Sequence, residues 1–246
     1  MARAGALYEA GKLAWRQNDV EPAITYFEES LRLYEPLDCP DFQAYTLLWL
    51  GNAEFRQQRY LKARALFTQA LALGQELNNE ALIAWALIWL GNVSDDHDRT
   101  RAYYLQSLTL AKQIGLNDCV AHCLCNLGSQ AVQQNDYAVA RTFLRDGLQH
   151  WCTLQNKPET VQAIGMVALL AAALGQERQA TLLLGALEKL RQEMSIAVTA
   201  NKHQEYTERI SAARASLTEE TFRVLWDQSQ TMSFDQTVAT ALEIVS

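Results

Sequence analysis

The chain has 246 residues, of which 49% are hydrophobic and 20% charged, a balance that predicts a folded, water-soluble protein and excludes a disordered one. Its net charge of −7, with 21 Lys plus Arg against 28 Asp plus Glu, argues against direct binding to nucleic acid. The longest apolar run, residues 163–174, is shorter than the roughly 20 residues that a membrane helix needs. Five cysteines lie within helical patterns, which favours a reducing cytoplasm over a disulfide framework.

A repeat of about 40 residues organises most of the chain. Small residues recur in the first half of each repeat at steps of 40, 40, 37 and 40: Gly11, Gly51, Gly91, Gly128 and Ala168. Alanines recur in the second half at steps of 40, 39, 38 and 40: Ala23, Ala63, Ala102, Ala140 and Ala180. Each repeat therefore predicts two antiparallel helices that approach closely at the small residues.

A large side chain should fill the space opposite each of these small residues. The positions four residues after the alanines are Phe27, Phe67, Gln106, Leu144 and Leu184. The third repeat departs from the pattern, because Gln106 is polar and the preceding turn is shortened. Either Leu105 moves into the packing position or the second helix rotates locally.

The spacing predicts helical hairpins over 3–36, 43–77, 81–115, 120–155 and 159–194. After Met194 the register is lost. The following segments are a loop from Ser195 to Asn201, a charged amphipathic helix from Lys202 to Ser216, and helices at 218–231 and 234–245, with capping pairs Ser216/Glu219 and Ser233/Gln236. We therefore predict five hairpins in residues 1–194 and capping helices in 195–246. No segment shows sustained alternation of period two, so the fold class is predicted to be all-α.

The Leu-Gly pairs at 50–51 and 90–91, with Ala-x-x-x-Phe at 23–27 and 63–67, resemble the tetratricopeptide repeat. That resemblance implies antiparallel helix pairs stacked into a right-handed superhelical solenoid with a concave inner face. The long period is similar instead to the tetratricopeptide-like C-terminal region of bacterial signal-transducing (STAND) ATPases, including LuxR-type and maltose-regulator-like transcription regulators. Residues 182–194 and 206–243 are also similar to the way those regulators end. This resemblance implies a cytoplasmic sensor or interaction module whose partner is the ATPase domain of a parent protein.

In a repeat of this kind the first helices line the inner face, and several of their side chains also recur with the period. The candidate ligand-binding residues are Tyr45, Trp49, Asn52, Trp85, Trp89, Asn92 and His122. Aromatic faces grip apolar or cationic groups, and the Asn amides hydrogen-bond a peptide backbone. Alternatively, the tryptophans pack between neighbouring hairpins. For the Asn pair we favour exposure, because a buried amide must find several partners.

Two clusters suggest metal chemistry, and for both a structural explanation is simpler. Cys119, His122 and Cys123 share one helix face but lack a second pair of ligands, and Cys125 points elsewhere. The acidic run at residues 95–98 lacks the spacing of a calcium loop and predicts a hairpin turn, in which Asp98 caps the following helix. We therefore expect no metal and no cofactor.

Catalytic motifs are absent from the sequence: there is no phosphate-binding loop, no nucleophile elbow and no zinc-protease helix. The pattern favours a non-catalytic module that binds a protein segment, a peptide or a small effector in its concave groove. A structural or oligomerising scaffold without a groove ligand is the alternative from another class. Direct sensing of a small molecule in an enclosed cavity is a third.

Overall fold

The described residues, 1–196 and 200–246, are helical almost throughout, as the periodicity predicts. A computed structural model of the chain contains thirteen α-helices and no β-strand within these ranges. In chain order they are α1 (Ala2–Arg16), α2 (Val20–Tyr34), α3 (Pro40–Arg56), α4 (Tyr60–Glu76), α5 (Glu80–Asn92), α6 (His97–Ile114), α7 (Asn117–Gln133), α8 (Tyr137–Thr153), α9 (Lys157–Ala173), α10 (Glu177–Glu193), α11 (Ala200–Ser216), α12 (Glu219–Thr231) and α13 (Phe234–Val245). The all-α fold class is confirmed.

The chain divides into two compact units, Met1–Cys119 and Val120–Ser246. The first unit contains three antiparallel hairpins, α1/α2, α3/α4 and α5/α6, each joined by a short turn. The turn after α3 illustrates why the helices stop. Gln58 adopts a left-handed backbone conformation, with φ 59, and the Arg59 N–H bonds the Glu54 carbonyl at 3.0 Å. This Schellman arrangement satisfies carbonyl groups that the helix end would otherwise leave without donors.

Close helix contact inside each hairpin depends on the predicted small residues. A Cβ added to Gly51 would lie 2.5 Å from the Phe67 ring, and one added to Gly11 would lie 2.6 Å from Phe27. Phe27 and Phe67 are both fully buried. The predicted pairing of glycine with a large apolar residue is therefore confirmed in these two hairpins.

In the third hairpin the first sequence-based alternative, Leu105 in the packing position, is wrong, and the second, a rotation of the second helix, agrees with the structure. Tyr104, and not Leu105 or Gln106, packs on Gly91, at 2.5 Å from a Cβ built there. The shortened turn places the aromatic residue three positions earlier than in the first two hairpins. Ala102, predicted to face its partner helix, is consequently exposed. The cause is a deletion in the turn, which rotates all of α6.

In the second unit, α8 to α10 pack with the part of α7 that belongs to this unit, and α11 to α13 follow. A Cβ on Gly128 would lie 2.6 Å from Leu144, as the repeat predicts. Tyr206 of α11 packs on Gly165 of α9, and Ser229 of α12 packs on Gly185 of α10. The Lys189 ammonium also donates to the Met232 carbonyl at 3.0 Å. The last three helices thus bind the fifth predicted hairpin through specific close contacts.

The caps of the last helices are partly as predicted. Ser233 and Gln236 form the expected capping box at the start of α13. The predicted cap at Ser216 is wrong, because Thr218 is the N-cap of α12 and accepts from the Thr221 N–H at 3.2 Å. Of the predicted loop from Ser195 to Asn201, residues 197–199 lie outside the described residues, and the prediction for Ala200 and Asn201 was wrong, since both belong to α11.

Candidate functional site

A row of half-buried aromatic side chains lies on the first helices of the three hairpins in the first unit. We call it the aromatic wall; its members are Trp15, Trp49, Phe55 and Trp89. Trp15 meets Trp49 edge-on, with ring centroids 5.2 Å apart, and Phe55 lies 6.1 Å from Trp89. These contacts hold the rings in a fixed arrangement while leaving part of each surface in solvent.

The two period-matched tryptophans have period-matched supports. Trp49 stacks on Phe27 with centroids 6.3 Å apart, and Trp89 stacks on Phe67 at 5.7 Å. Each indole therefore has one face on the hairpin core, while the residue as a whole is only partly buried. The tryptophans combine the two roles that the sequence left open: they pack between helices and also reach the surface.

Asn52 is held in place by the aromatic wall. The Trp15 indole Nε1 donates to the Asn52 Oδ1 at 2.9 Å, across 37 positions of sequence. An indole can only donate, so the oxygen of the amide must face Trp15 and the NH₂ group must point away from it. The expectation that Asn52 is exposed was wrong, since the residue is 5% exposed. It tolerates burial because Trp15 supplies the missing partner.

Asn92 lies one period later but has a different partner. The Tyr104 hydroxyl donates to the Asn92 Oδ1 at 2.7 Å. Tyr104 reaches this amide only because the shortened turn brings it opposite Gly91. Asn92 is half-buried. The two amides are thus both oriented through their oxygen atoms, by unrelated donors.

Tyr45 and Trp85, the other candidates in this unit, are also half-buried and pack against the same apolar core as Trp49 and Trp89. The first unit therefore brings six of the seven candidate residues onto α3 and α5. His122 belongs to the second unit.

Arg56 extends the aromatic wall and was not identified from the sequence. Its guanidinium lies over the Trp15 ring, 4.1 Å from the centroid. Nη1 donates to the Trp15 carbonyl and to the Asn18 Oδ1, both at 3.3 Å. Burial lowers the pKa of Arg56 from its ordinary value. One signal was present in the sequence: Arg56 follows Asn52 by four residues and so shares its helix face.

Glu54 is a buried carboxylate that sequence reasoning also missed. Its side chain is 0% exposed and lies 2.5 Å from the Lys62 ammonium and 3.2 Å from the Arg59 guanidinium. The hydrogen bond to Glu54 raises the pKa of Lys62. Both cations also reach carboxylates of α2, Glu21 and Glu28. This network ties the second hairpin to the first and has a structural role.

His122 packs edge-on against the buried Trp151, with ring centroids 4.8 Å apart. Burial lowers the pKa of His122 to about 4, so the ring is neutral at physiological pH. Burial likewise raises the pKa of the Cys125 thiol to about 12, which keeps it protonated. His122 is half-buried, and the Cys125 thiol beside Trp151 is buried.

The acidic run at residues 95–98 forms a turn with local partners. Asp96, and not Asp98, caps α6 by accepting from the Arg99 N–H at 2.9 Å, so the prediction for Asp98 was wrong. The shortened turn starts α6 at His97, which leaves Asp98 inside the helix. Asp95 pairs with Arg64 at 3.2 Å, and a backbone hydrogen bond together with that guanidinium lowers its pKa.

Across the described ranges, no three His, Cys, Asp or Glu side chains converge on a point that could hold a metal ion. In the same ranges, no helix is long and apolar enough to cross a bilayer.

The fold and the wall define a class of protein, an all-α repeat of antiparallel helical hairpins with a first-helix face of aromatic and amide groups. Residues 8–78, which cover most of the first two hairpins, match the tetratricopeptide repeat family. No curated protein matches the chain.

Several solved structures have a similar fold. BtubC (BKLC) from P. vanneervenii is 20% identical, with a TM-score of 0.59 over 80% of this chain and 84% of that chain. The Rap conjugation gene regulator of plasmid pLS20, in complex with the Phr* peptide, is 15% identical, with a TM-score of 0.68 over 97% and 72% of the two chains. A Rap protein complexed with Competence and Sporulation Factor is 13% identical, with a TM-score of 0.64 over 97% and 74%. These identities show a shared fold alone.

Proposed function

We propose that the protein is a non-catalytic binding module that takes an extended peptide or protein segment on the aromatic wall of its first unit. The observation that carries this proposal is the hydrogen bond from the Trp15 indole to the Asn52 Oδ1 at 2.9 Å. That bond fixes the amide so that its two N–H donors are turned away from Trp15. A fixed donor beside half-exposed aromatic rings is suited to a peptide carbonyl flanked by apolar side chains.

Pre-organisation is the energetic reason for such an arrangement. A free Asn side chain would lose rotamer freedom when it bound a ligand, whereas Asn52 is already fixed by its own protein. The indole faces of Trp49 and Trp89 offer large contact areas on rings that are also already ordered. The ligand then meets a surface that does not need to rearrange.

Two of the structures with a similar fold contain a bound factor, the Phr* peptide in one and Competence and Sporulation Factor in the other. They support peptide binding as a use of this fold. The argument for this particular chain rests on its own residues, because a fold can host unrelated functions.

A structural or oligomerising scaffold is the second candidate, and the stacking of Trp49 on Phe27 and of Trp89 on Phe67 favours it. In that case the indoles serve mainly to join neighbouring hairpins. A small effector bound on the wall in place of a peptide is a third candidate.

We also infer a wider context from the resemblance of the repeats and the tail to bacterial signal-transducing ATPases. In this context the chain is the cytoplasmic sensor region of, or acts beside, a larger ATPase or transcription regulator, with that protein's ATPase domain as its partner. The reading frame upstream of Met1 tests this inference. A phosphate-binding loop encoded there would support it, and an unrelated upstream gene would oppose it.

Affinity selection from a pool of random octapeptides tests the binding function on the full chain. Four variants, Trp49→Ala, Trp89→Ala, Asn52→Ala and Asn92→Ala, are compared with the parent for peptide affinity and for melting temperature. We expect the two Asn variants to lose about 1–3 kcal/mol of affinity each. Two results would favour the scaffold function over peptide binding. One is that no peptide is selected, and the other is that the Trp variants unfold while the Asn variants bind normally.

A further inference from the structure

Arg56 is a half-buried cation at the end of the aromatic wall. It occupies the last turn of α3, one turn after Asn52 on the same face of the helix. The centre of its guanidinium lies over the Trp15 ring, 4.1 Å from the ring centroid. Stacking of this kind holds the guanidinium in one plane and leaves its edges available for hydrogen bonds.

Only part of the Arg56 guanidinium has hydrogen-bond acceptors within the protein. A guanidinium carries five N–H donors, two on each Nη and one on Nε. The two bonds of Nη1 go to neutral oxygens, the Trp15 carbonyl and the Asn18 Oδ1, both at 3.3 Å. The described residues supply no acceptor to Nε or Nη2. The edge formed by Nε and Nη2 is therefore the one that is available.

The next three cations along the chain are paired with acids. Arg59, Lys62 and Arg64 each form an ion pair with a carboxylate, at distances of 2.5–3.2 Å. Arg56 forms none within the described part of the chain, although burial has removed part of its hydration. A partly desolvated cation without an acid is costly unless something else supplies the negative charge.

We propose that Arg56 is the anchor for a carboxylate of the bound peptide, received on the edge formed by Nε and Nη2 while Trp15 holds the guanidinium in plane. This assignment rests on the proposed peptide-binding function and adds the chemistry of the ligand. Two parallel N–H donors match the two oxygens of a carboxylate, which explains why arginine serves here.

A peptide acid fits these surroundings better than a polyanion does. Asn52 lies four residues earlier on the same face of α3, so one extended chain would bring a carboxylate to Arg56 and a backbone carbonyl to Asn52. The net charge of −7 opposes long phosphate backbones but does not oppose a single acid beside a local cation. The acid is either an Asp or Glu side chain or the C-terminal carboxylate.

Three small probes separate these sources and need no natural ligand. They are N-acetylglutamate α-amide, with only a side-chain acid, N-acetylglutamine, with only a terminal acid, and N-acetylglutamine α-amide, which is neutral. The full chain is labelled with ¹⁵N, and the Arg56 Nε–Hε signal is assigned by its loss in Arg56→Gln. We expect at least one acid to shift this signal and the Trp15 indole signal saturably, while the neutral probe does not. If neither acid does so, or if all arginine signals move equally, the proposal is wrong.

A second measurement uses octapeptides selected on the parent protein. Each is remade with its acidic side chains as amides, or with an amidated C-terminus, and its Kd is measured against the parent, Arg56→Gln and Arg32→Gln. Arg32 is the matched control, because it is also in the last turn of its helix but is exposed on α2.

We expect removal of the relevant peptide acid to weaken binding to the parent and to Arg32→Gln about tenfold, and to leave binding to Arg56→Gln nearly unchanged. Equal losses in all three proteins would overturn the role of Arg56 while leaving peptide binding intact. Failure to select any peptide would instead count against the proposed function, and the probe titration would still decide the role of Arg56.

Discussion

At the scale of single residues, the hydrogen bond between Trp15 and Asn52 is the most informative contact in the protein. It joins α1 to α3 and fixes the direction of the one amide that is nearly buried in the aromatic wall. Loss of either partner leaves the other without its bond at a site that water reaches poorly. The bond therefore links the stability of the first unit to the shape of the candidate site.

A double-mutant cycle on Trp15→Phe and Asn52→Ala should detect this bond. Phenylalanine keeps an aromatic ring but removes the indole donor. We expect each single variant to lower the free energy of unfolding by about 1–3 kcal/mol and the pair to be coupled by about 1 kcal/mol. Urea unfolding of the four proteins measures this. Strictly additive losses would show that the two side chains do not stabilise one another.

The sequence identified one partner of this bond and missed the other. Asn52 attracted attention because Asn92 follows it by one period, whereas no tryptophan is found one period after Trp15. Phe55 occupies that position, and aligning Trp15 with Phe55 would have placed the indole on the wall. The direction of a hydrogen bond across 37 residues depends on how α1 packs against α3, which local spacing does not specify.

The stability of the second unit should depend on pH through His122. Burial lowers its pKa from 6.5 to about 4, so the folded state favours the neutral ring and the unfolded state takes up the proton first. Its stabilising contribution is complete above about pH 6.5 and is lost as the pH falls from there through about 4. We expect a loss on the order of 1–3 kcal/mol.

His122→Phe isolates this contribution, because phenylalanine keeps the edge-on contact with Trp151 but does not titrate. Urea unfolding at pH 7 and pH 4.5 should show a smaller drop in stability for this variant than for the parent. His203→Phe, at an exposed position on α11, serves as the control. An equal drop in all three proteins would rule out His122 as the source.

At the scale of helices, the turn before α6 determines which side chains face inward. The first two hairpins follow the sequence prediction, because their turns keep the spacing between glycine and phenylalanine. The third does not, since three residues are missing and Tyr104 takes the place expected for Gln106 or Leu105. Sequence pattern predicted that α6 exists within the hairpin 81–115, whereas its first residue and its rotation depended on turn geometry.

Gly91→Ala tests this register directly. A Cβ at this position would lie 2.5 Å from the Tyr104 ring, so we expect a loss of stability of about 1–3 kcal/mol. Gly5→Ala on α1 is the matched control, because its nearest neighbour would be the Tyr34 hydroxyl at 3.6 Å. Alanine there should stabilise the helix by about 0.5–1 kcal/mol. Thermal unfolding of both variants distinguishes a steric conflict from a general effect of helix propensity.

The last three helices make close contacts with the fifth predicted hairpin. We propose that residues 195–246 cap five hairpins formed by residues 1–194, since Tyr206 and Ser229 occupy the space beside Gly165 and Gly185. Repeat proteins need a cover of this kind on their terminal apolar edge. Deletion of everything after Met194 should therefore lower the melting temperature or cause aggregation in light scattering.

A milder variant keeps the whole chain. Gly185→Ala inserts a methyl group where Ser229 packs, so it should destabilise α12 against α10 without removing any residue. Unchanged melting temperatures for both the truncated chain and Gly185→Ala would show that the tail is an independent element.

At the scale of the whole molecule, composition and repeat period predicted the fold class, and most helix bounds agree within a few residues. The choice of the first helices as the candidate surface also came from the sequence, through their recurring Trp and Asn residues. The roles of Arg56 and Glu54 were not anticipated. The sequence alone does not show whether an arginine pairs with an acid or stacks on a tryptophan. That distinction depends on which side chains meet between hairpins.

The central claim is that Trp15 orients Asn52 so that the amide binds a peptide carbonyl. The most direct test is the affinity of one selected octapeptide for the parent, Trp15→Phe, Asn52→Ala and the double variant, measured by calorimetry where all four are folded. Our account predicts a loss of about tenfold for each single variant and little further loss for the double variant, since both changes remove the same oriented donor. Unchanged affinity in Asn52→Ala would contradict it.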